Sequence, residues 1–241
     1  MIKRVVVVGL FSFVFACAPA ADSPDAGAAS DAAEQADAGN GLLCEAEEPY
    51  CSDEMIQQIS LQDFVSSGAV STTQSGAVFT TQVDASAGGM GAATQNPFVY
   101  IKFNADGAVK VEIDDEASLN SQDWDLAARR TFARLNSGDS GPSCVRAAEV
   151  SGDFSDVTTA PDSFNEENFF DDQCQYITDT RFSGFDGPDC LLKTFWEMSS
   201  GGMGVDMTGQ VYVLQLADGA KLKLVFDAYN SGHLTLRWAW L

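Results

Sequence analysis

Hydrophobic positions near the C-terminus follow a period of two. Three apolar-rich runs, residues 211–217, 221–229 and 233–241, are separated by the turn sequences Asp218-Gly219 and Asn230-Ser231-Gly232. In the last run this period places four large apolar side chains on one face, namely Leu234, Leu236, Trp238 and Trp240. The pattern predicts a three-stranded antiparallel meander with a strongly apolar face.

A separate hairpin is predicted upstream. Residues 98–103 and 108–113 flank the turn 104–107, whose aspartate and glycine tolerate left-handed backbone positions. The helical signal is weaker, and it predicts one short helix over residues 53–64, where four apolar residues fall near helical spacing: Met55, Ile56, Ile59 and Leu61. We therefore expect an all-β fold, mostly antiparallel sheet, with at most one or two short helices.

The middle of the chain has no clear period. Residues 152–204 are rich in Gly, Asp, Asn and Ser with scattered phenylalanines, which predicts long loops with short strands. Loops held on a sheet scaffold usually carry function. We expect the functional residues in this part of the chain.

The N-terminus has the pattern of a signal peptide. Lys3 and Arg4 precede an apolar run, residues 5–15, which is too short for a membrane span of about 20 residues. The ending Val14-Phe15-Ala16-Cys17 resembles a lipobox, and this predicts cleavage after residue 16 and a lipid anchor on Cys17. An ordinary secretory cut at Ala18-Pro19-Ala20 is the alternative.

Residues 17–43 form the next predicted segment. Beyond the cysteine they are mainly Ala, Asp, Gly and Ser, without an aromatic or basic residue, so they bury too little apolar surface to fold. We expect a lipidated, disordered tether here. Residues 44–241 then form a single β domain.

The charge balance limits the classes of partner that the chain is expected to bind. The chain has 13 basic and 35 acidic residues and a formal net charge of −22. Removal of residues 1–16 leaves 11 basic residues and a charge of −24. Because a field of this sign repels phosphate backbones and anionic head groups, we expect no nucleic-acid binding and membrane contact only through the lipid anchor.

Five cysteines follow Cys17 in a chain predicted to leave the reducing cytosol. Cys44 and Cys51 flank a short acidic loop and are the first expected disulfide. Cys174 with Cys190 is the second, and Cys144 is able to replace a partner in either pair. A zinc site is the rival interpretation of these cysteines. Against it, the chain has no Cys-x-x-Cys motif and has a single histidine.

One segment resembles the signature of a known family. Trp124-Asp125-Leu126-Ala127-Ala128-Arg129-Arg130, followed by Arg134-Leu135-Asn136-Ser137-Gly138-Asp139-Ser140-Gly141-Pro142, is similar to the motif of the HmuY family, with Ala128 where the family has an aromatic residue. The resemblance implies an all-β surface lipoprotein that binds haem or another tetrapyrrole for iron acquisition. It also implies an outer-membrane or cell-surface location and a TonB-dependent outer-membrane receptor as partner.

Structural roles alone explain the residues of this motif. We expect Trp124 as a core anchor, Asp125 as an acceptor for backbone amides, a long strand that runs to the Asn/Ser/Gly turn, and arginines paired with surrounding acids. Gly138-Asp139-Ser140-Gly141 matches the sequence around a trypsin-like nucleophile. That mechanism needs a histidine base, and the sole histidine, His233, lies far downstream, so we expect no enzyme activity.

The side chains that coordinate haem iron in proteins are those of His, Met, Cys and Tyr. The resemblance implies paired histidines, or paired methionines, from loops between the Trp-Asp strand and the meander. This region contains no histidine but has Met198, Met203 and Met207, of which the glycine-flanked Met203 is the first candidate. His233 is a further candidate. The expected apolar walls are five phenylalanines: Phe164, Phe169, Phe170, Phe182 and Phe185. The alternative function is a surface interaction or structural β domain that has lost haem binding.

Overall fold

The computed structural model describes residues 42–181, 187–201 and 204–241. The predicted signal peptide, Cys17, most of the predicted tether, Phe182, Phe185 and Met203 lie outside these residues. Within the described part, no helix is both long and apolar enough to cross a membrane.

Antiparallel strands form most of the regular structure. The strands are β1 (Val70–Ser75), β2 (Val78–Asp84), β3 (Val99–Asn104), β4 (Gly107–Val111), β5 (Leu126–Arg129), β6 (Phe132–Leu135), β7 (Arg146–Val150), β8 (Trp196–Met198), β9 (Val205–Met207), β10 (Val211–Gln215), β11 (Lys221–Asn230) and β12 (His233–Trp240). The helices are α1 (Ser52–Gln58) and α2 (Asp115–Ser118), with 3-10 turns at Met90–Gln95 and Lys193–Phe195. The all-β expectation is confirmed.

The strands form two sheets and a separate hairpin. The larger sheet has the order β1-β2-β12-β11-β10-β7, the smaller one has the order β4-β3-β5-β6, and β8 pairs with β9. Side chains of both sheets share one core, in which the Trp238 ring stacks on Phe79 at 4.1 Å and meets the edge of Phe103 at 5.1 Å. This core fixes the two sheets against each other.

The predicted meander is confirmed as β10, β11 and β12. Leu234, Leu236 and Trp238 are fully buried, and Trp240 is half-buried. The opposite face of the sheet is also covered, because Phe154 and Val157 pack against Val213 and its neighbours. The chain that follows β7 therefore buries the second face of the larger sheet.

The predicted upstream hairpin is confirmed as β3 and β4, and α1 begins near the expected place. The helix ends at Gln58 rather than near residue 64, because Ser60 adopts a left-handed backbone (φ 56°). The short helix α2 was not predicted. Its first turn is capped by the Asp114 side chain, which accepts a hydrogen bond from the Ala117 amide.

The Trp-Asp motif agrees with the sequence expectation at its first two residues and departs from it in the strand that follows. Trp124 is buried and Asp125 accepts a bond from the Phe103 amide, as expected. However, the predicted long strand is two strands, because Arg130 (φ 55°) reverses the chain between β5 and β6.

The predicted pairing of the motif arginines with acids is wrong. Arg134 is fully buried and donates to Ser140, Ser118 and Tyr100, while Arg129 donates to backbone carbonyls. Both guanidinium groups lie over the Phe98 ring, at 4.2 Å for Arg129 and 4.8 Å for Arg134.

The two preferred disulfide pairs are wrong, whereas the alternative in which Cys144 replaces a partner is confirmed for Cys44. Cys44 is bonded to Cys144, Cys51 is bonded to Cys174, and Cys190 is a buried free thiol. The tertiary fold decides these pairs rather than loop length. The Glu47 amide bonds to the Pro142 carbonyl beside Cys144, and Gln58 of α1 bonds to the Cys174 carbonyl.

Candidate functional site

Two candidate iron ligands share one face of the β8–β9 hairpin. Trp196 lies opposite Met207 and Met198 opposite Val205, so all four side chains project to the same side and are half-buried. Glu197 and Asp206 are exposed on the other side. The hairpin therefore has one apolar face, which contains two thioethers.

The two methionines occupy different ends of this face. Met207 and Trp196 pack against the shared core of the sheets. Met198 lies at the other end, beside the segment that connects the strands and contains Met203. The register makes Met198 and Met207 diagonal neighbours, roughly 7–8 Å apart at the backbone. Since both approach from one side, they are not suited to be opposite axial ligands of one iron.

A small cleft borders the hairpin at Trp196. Its walls include Phe132 of β6, Pro188 and Trp196, and its volume is about 230 Å³. Arg181 and Lys193 also line it; the Arg181 guanidinium lies 5.6 Å from the Trp196 ring centroid and forms an ion pair with Asp179. Because ligand pockets usually measure about 300–1,000 Å³, this cleft fits the edge of a large ring rather than the whole ring.

A larger cleft of about 930 Å³ lies beside the first. Its lining is mostly polar and includes Glu149, Glu166, Glu167, Asp189 and Tyr212. Cys190 and Lys193 line both clefts. The segment from Cys190 to Lys193 is thus a wall that the two clefts share.

The Glu167 carboxyl group is buried beside this wall. One oxygen accepts a hydrogen bond from the Leu135 amide at 3.0 Å, and the other accepts from the Leu191 amide at 2.9 Å. Burial raises the pKa of this carboxyl to about 7, although both amides and Arg134 act in the opposite direction. The sequence contains no signal for this role, because the neighbouring Glu166 is exposed and looks the same in a composition pattern.

Other predicted site residues lie elsewhere. His233 is exposed at the start of β12, where its ring nitrogens lie 3.2 Å from the Asn230 carbonyl and 3.5 Å from the Asp84 carboxyl. Phe169 and Phe170 belong to the core around α1, and Phe164 packs on the outer face of the larger sheet. Of the expected phenylalanines, the three that the structure describes do not line the small cleft, where Phe132 and Trp196 supply the aromatic surface.

The protease-like turn has a structural role. The Ser140 hydroxyl and carbonyl both accept from buried Arg134, and Asp139 accepts from the Phe170 amide. Gly138 has a left-handed backbone, and an added Cβ would lie 2.1 Å from the Glu167 carbonyl. The Gly-Asp-Ser-Gly sequence is explained by these contacts.

Three solved structures show some likeness to the chain. A Bacteroides vulgatus protein described as HmuY-like and heme-binding covers 71% of this chain and 96% of its own, with 16% identity and a TM-score of 0.47. A Bacteroides fragilis protein described as a lipoprotein covers 71% and 95%, with 15% identity and a TM-score of 0.42. The apo HmuY analog of Tannerella forsythia covers 60% and 79%, with 18% identity and a TM-score of 0.36.

Sequence comparison assigns the family. No curated protein sequence matches the chain. The HmuY protein family matches over residues 94–238, a region that begins just before β3 and ends in β12. The match contains the Trp-Asp motif, both clefts and the β8–β9 hairpin, and the chain belongs to the HmuY family.

Proposed function

We propose that this protein binds haem, or another tetrapyrrole, at the β8–β9 hairpin. The observation that supports this proposal is the apolar hairpin face, where Trp196, Met198 and Met207 lie together within the region that matches the family. Thioethers are accepted ligands of haem iron, and a tetrapyrrole needs an apolar surface of this kind. The side chains of this face therefore fit the group.

Different residues serve different parts of the ring. Trp196 and Phe132 offer aromatic surface for a ring edge in the small cleft, whose polar rim is formed by Arg181, paired with Asp179, and by Lys193, paired with Asp189. Met198 or Met203 supplies a thioether to the iron, while Met207 contributes apolar surface because it packs against the core. Haem bound in this way would supply iron for acquisition.

A thioether ligand has a measurable consequence. Methionine is soft and does not titrate, so binding should persist in mildly acid solution, where a histidine ligand would be protonated. It should also favour reduced iron. The test is a haemin titration with and without dithionite at neutral and mildly acid pH, followed through the Soret band.

Single substitutions assign the ligand. Met203→Ala, Met198→Leu and Met207→Leu are compared with Met90→Leu, whose methionine is 74% exposed and lies in the 3-10 turn before β3. We expect a loss of affinity of at least about 10-fold for the ligating methionine, and an unchanged titration for Met90→Leu. A Soret shift that survives every hairpin substitution would contradict the site and direct attention to His233.

A surface interaction domain without haem is the second candidate. It is favoured by the one-sided arrangement of Met198 and Met207 and by the small volume of the cleft. The same titration separates the two functions, because the absence of a Soret shift in both redox states would leave only the interaction domain.

We also propose that the mature protein is a surface lipoprotein anchored through Cys17, and that a TonB-dependent receptor takes haem from it. The lipobox-like ending of the apolar run supports the anchor, and Ala18, rather than an aspartate, favours outer-membrane placement. Cys17→Ser should release the protein from membranes in cell fractionation. Retention of the variant in the membrane fraction would contradict the anchor.

A further inference from the structure

Three of the strands that end the two sheets have their outer edges covered by other parts of the chain. The larger sheet ends in β1 and β7, and the smaller one ends in β4 and β6. At β6 the Glu167 carboxyl group accepts a hydrogen bond from a strand amide, and at β7 the backbones of Ala147 and Asn165 exchange two bonds. At β4 the Thr72 hydroxyl bonds to both the amide and the carbonyl of Ala108. These contacts satisfy backbone groups that an edge strand otherwise leaves open.

The edge of β1 is the exception. A two-residue turn joins β1 to β2, so Ser75 and Val78 beside the turn form a hydrogen-bonded pair, and the bonding alternates along the ladder from there. The backbone groups of Val70, Thr72 and Gln74 therefore point away from β2. Within the described part of the chain, no backbone group bonds to them. The β1 edge thus leaves three amides and three carbonyls without a protein partner there.

The sequence around β1 lacks the features that protect exposed edges in other proteins. Residues 64–83, which contain β1 and β2, include no charged residue and no proline, although the chain has 13 basic and 35 acidic residues. The pairing of β1 with β2 has no bulge. The side chains on its outer face are short and exposed hydroxyls, those of Ser71, Thr73 and Ser75. An uncharged and regular edge of this kind is a template for another strand.

We propose that the β1 edge is a self-association surface, at which a second copy of this chain adds its own β1 in the antiparallel direction about a two-fold axis. With Thr72 opposite Thr72 of the second copy, Val70 lies opposite Gln74. In this register each outward-pointing residue exchanges both backbone bonds with its counterpart, which gives about six bonds between the copies. On the outer face Ser71 lies opposite Thr73, a pair whose hydroxyls bond to each other.

Charge and symmetry select a second copy as the occupant. The chain has a formal net charge of −22, so two copies repel each other over most of their surface. Contact through residues 64–83 places no charged side chain of that stretch against another. The three outward-pointing residues are spaced evenly about Thr72, so the edge is its own complement, as a two-fold interface requires. Pairing uses up the β1 edge of both copies, and the assembly stops at a dimer.

The size of the contact sets its strength. One pair of six-residue strands buries less surface than the roughly 1,200–2,000 Å² of a standard stable interface, so the dimer is weak and reversible. Salt screens the repulsion between the two acidic copies but affects backbone hydrogen bonds little. The dimer is therefore expected to strengthen with ionic strength, which is opposite to the behaviour of an interface made of ion pairs.

Sedimentation equilibrium tests the association on the full mature chain with Cys17→Ser. The protein is measured from about 10 μM to about 1 mM, in about 20 mM and about 500 mM sodium chloride. We expect a monomer–dimer equilibrium whose association constant rises by about 10-fold between the two salt concentrations. A monomer under all of these conditions would overturn the proposal, and so would open-ended growth beyond the dimer.

Two variants and a charge-matched control locate the surface. Thr73→Glu places a carboxylate at the exposed edge, and Gln74→Pro removes an outward amide that β2 does not use. Each should weaken dimerisation by at least about 10-fold, with an unchanged near-ultraviolet circular-dichroism spectrum. Gln173→Glu makes the same charge change at an exposed residue in the chain after β7 and should associate as the wild type does. Equal weakening by the control, or wild-type association of both edge variants, would overturn the β1 interface.

Disulfide crosslinking tests the register. Ser71 and Thr73 of the second copy form a non-hydrogen-bonded pair in the proposed dimer, with Cα atoms about 4.5 Å apart, within the range that a disulfide spans. A mixture of Ser71→Cys protein with Thr73→Cys protein should therefore form mixed dimers at least about 10-fold faster than a mixture of Ser71→Cys with Asp106→Cys, which has its cysteine in the exposed β3–β4 turn. Equal rates for the two mixtures would overturn the antiparallel pairing.

Discussion

The C-terminal meander and the chain between β7 and β10 are stabilised in different ways. The meander, β10 to β12, is held by ladder hydrogen bonds and by large apolar side chains that share one core. The described residues between β7 and β10 contain the short hairpin β8–β9, one 3-10 turn and otherwise irregular chain. That chain is held by buried apolar side chains such as Phe154 and Phe169, by isolated bridges, by the Glu167 carboxyl group and by the Cys51–Cys174 disulfide.

The two regions also differ in how the position of each residue is fixed. In the meander each residue is supported by many neighbours, so no single polar group decides its position. The chain between β7 and β10 has little regular structure, and together with residues of β6, β7 and β10 it lines both clefts. The clefts thus lie where irregular chain meets the sheets.

The largest effect is expected for Trp238→Ala in the meander. Trp238 is fully buried, stacks on Phe79 and donates from its indole nitrogen to the Thr81 hydroxyl at 2.9 Å. Its removal leaves a cavity and takes one of two hydrogen-bond partners from the Thr81 hydroxyl, which keeps Thr72, and should lower the free energy of unfolding by about 3–5 kcal/mol. Denaturant unfolding measures the loss. Trp240→Ala, at a half-buried position, should cost less, and equal losses would contradict the assigned core.

The second prediction concerns the Cys51–Cys174 disulfide. The double variant Cys51→Ser/Cys174→Ser should lose about 3–4 kcal/mol, because a crosslink over a long loop restricts the unfolded chain. Cys190→Ala, which removes a thiol outside the disulfides, is the control and should lose about 1 kcal/mol. Mass spectrometry of disulfide-linked peptides provides a direct check, since a Cys44–Cys51 peptide would contradict the structure.

The predictable and unpredictable features follow the same division. The meander and the β3–β4 hairpin were visible in the sequence because a period of two and Asp-Gly turns are local signals. The disulfide partners depend on which distant segments meet at Cys51 and Cys144, and short loop length was a misleading guide. Burial of Arg134 was hidden as well, since its partners Tyr100 and Ser118 are distant in sequence.

The candidate site was visible only in part. The sequence identified Met198 and Met207 by their chemistry, and the structure then showed that they share one hairpin face. The sequence favoured the phenylalanines as the apolar walls of a haem pocket, but Phe169 and Phe170 are buried in the core around α1. Glu167 was missed because its role depends on two backbone amides brought to it by the fold.

A third prediction compares stability with pH. The pKa of Glu167 is about 7 in the folded protein against an ordinary 4.5, so its contribution is most favourable below pH 4.5 and is lost as pH rises to about 7. The loss amounts to about 3 kcal/mol. The difference in unfolding free energy between the wild type and Glu167→Gln should therefore change by this amount between pH 4.5 and 8. A difference that is constant over that range would contradict the burial of an ionisable carboxyl.

The smallest effect is expected where the two regions meet on the outer face of the larger sheet. Arg237 of β12 forms an ion pair with Asp227 of β11, and its guanidinium also lies 4.7 Å from the Phe154 ring centroid in the chain after β7. Exposed ion pairs contribute about 0–1 kcal/mol and exposed cation–π contacts about 0.5–1 kcal/mol. A double-mutant cycle of Arg237→Ala with Phe154→Leu should give a coupling of about 0.5 kcal/mol, whereas the cycle of Arg237→Ala with Phe164→Leu should give none, since Phe164 lies under Lys221 instead. A coupling of 2 kcal/mol or more would mean that the chain after β7 and the meander stabilise each other strongly. It would remove the contrast between the two regions.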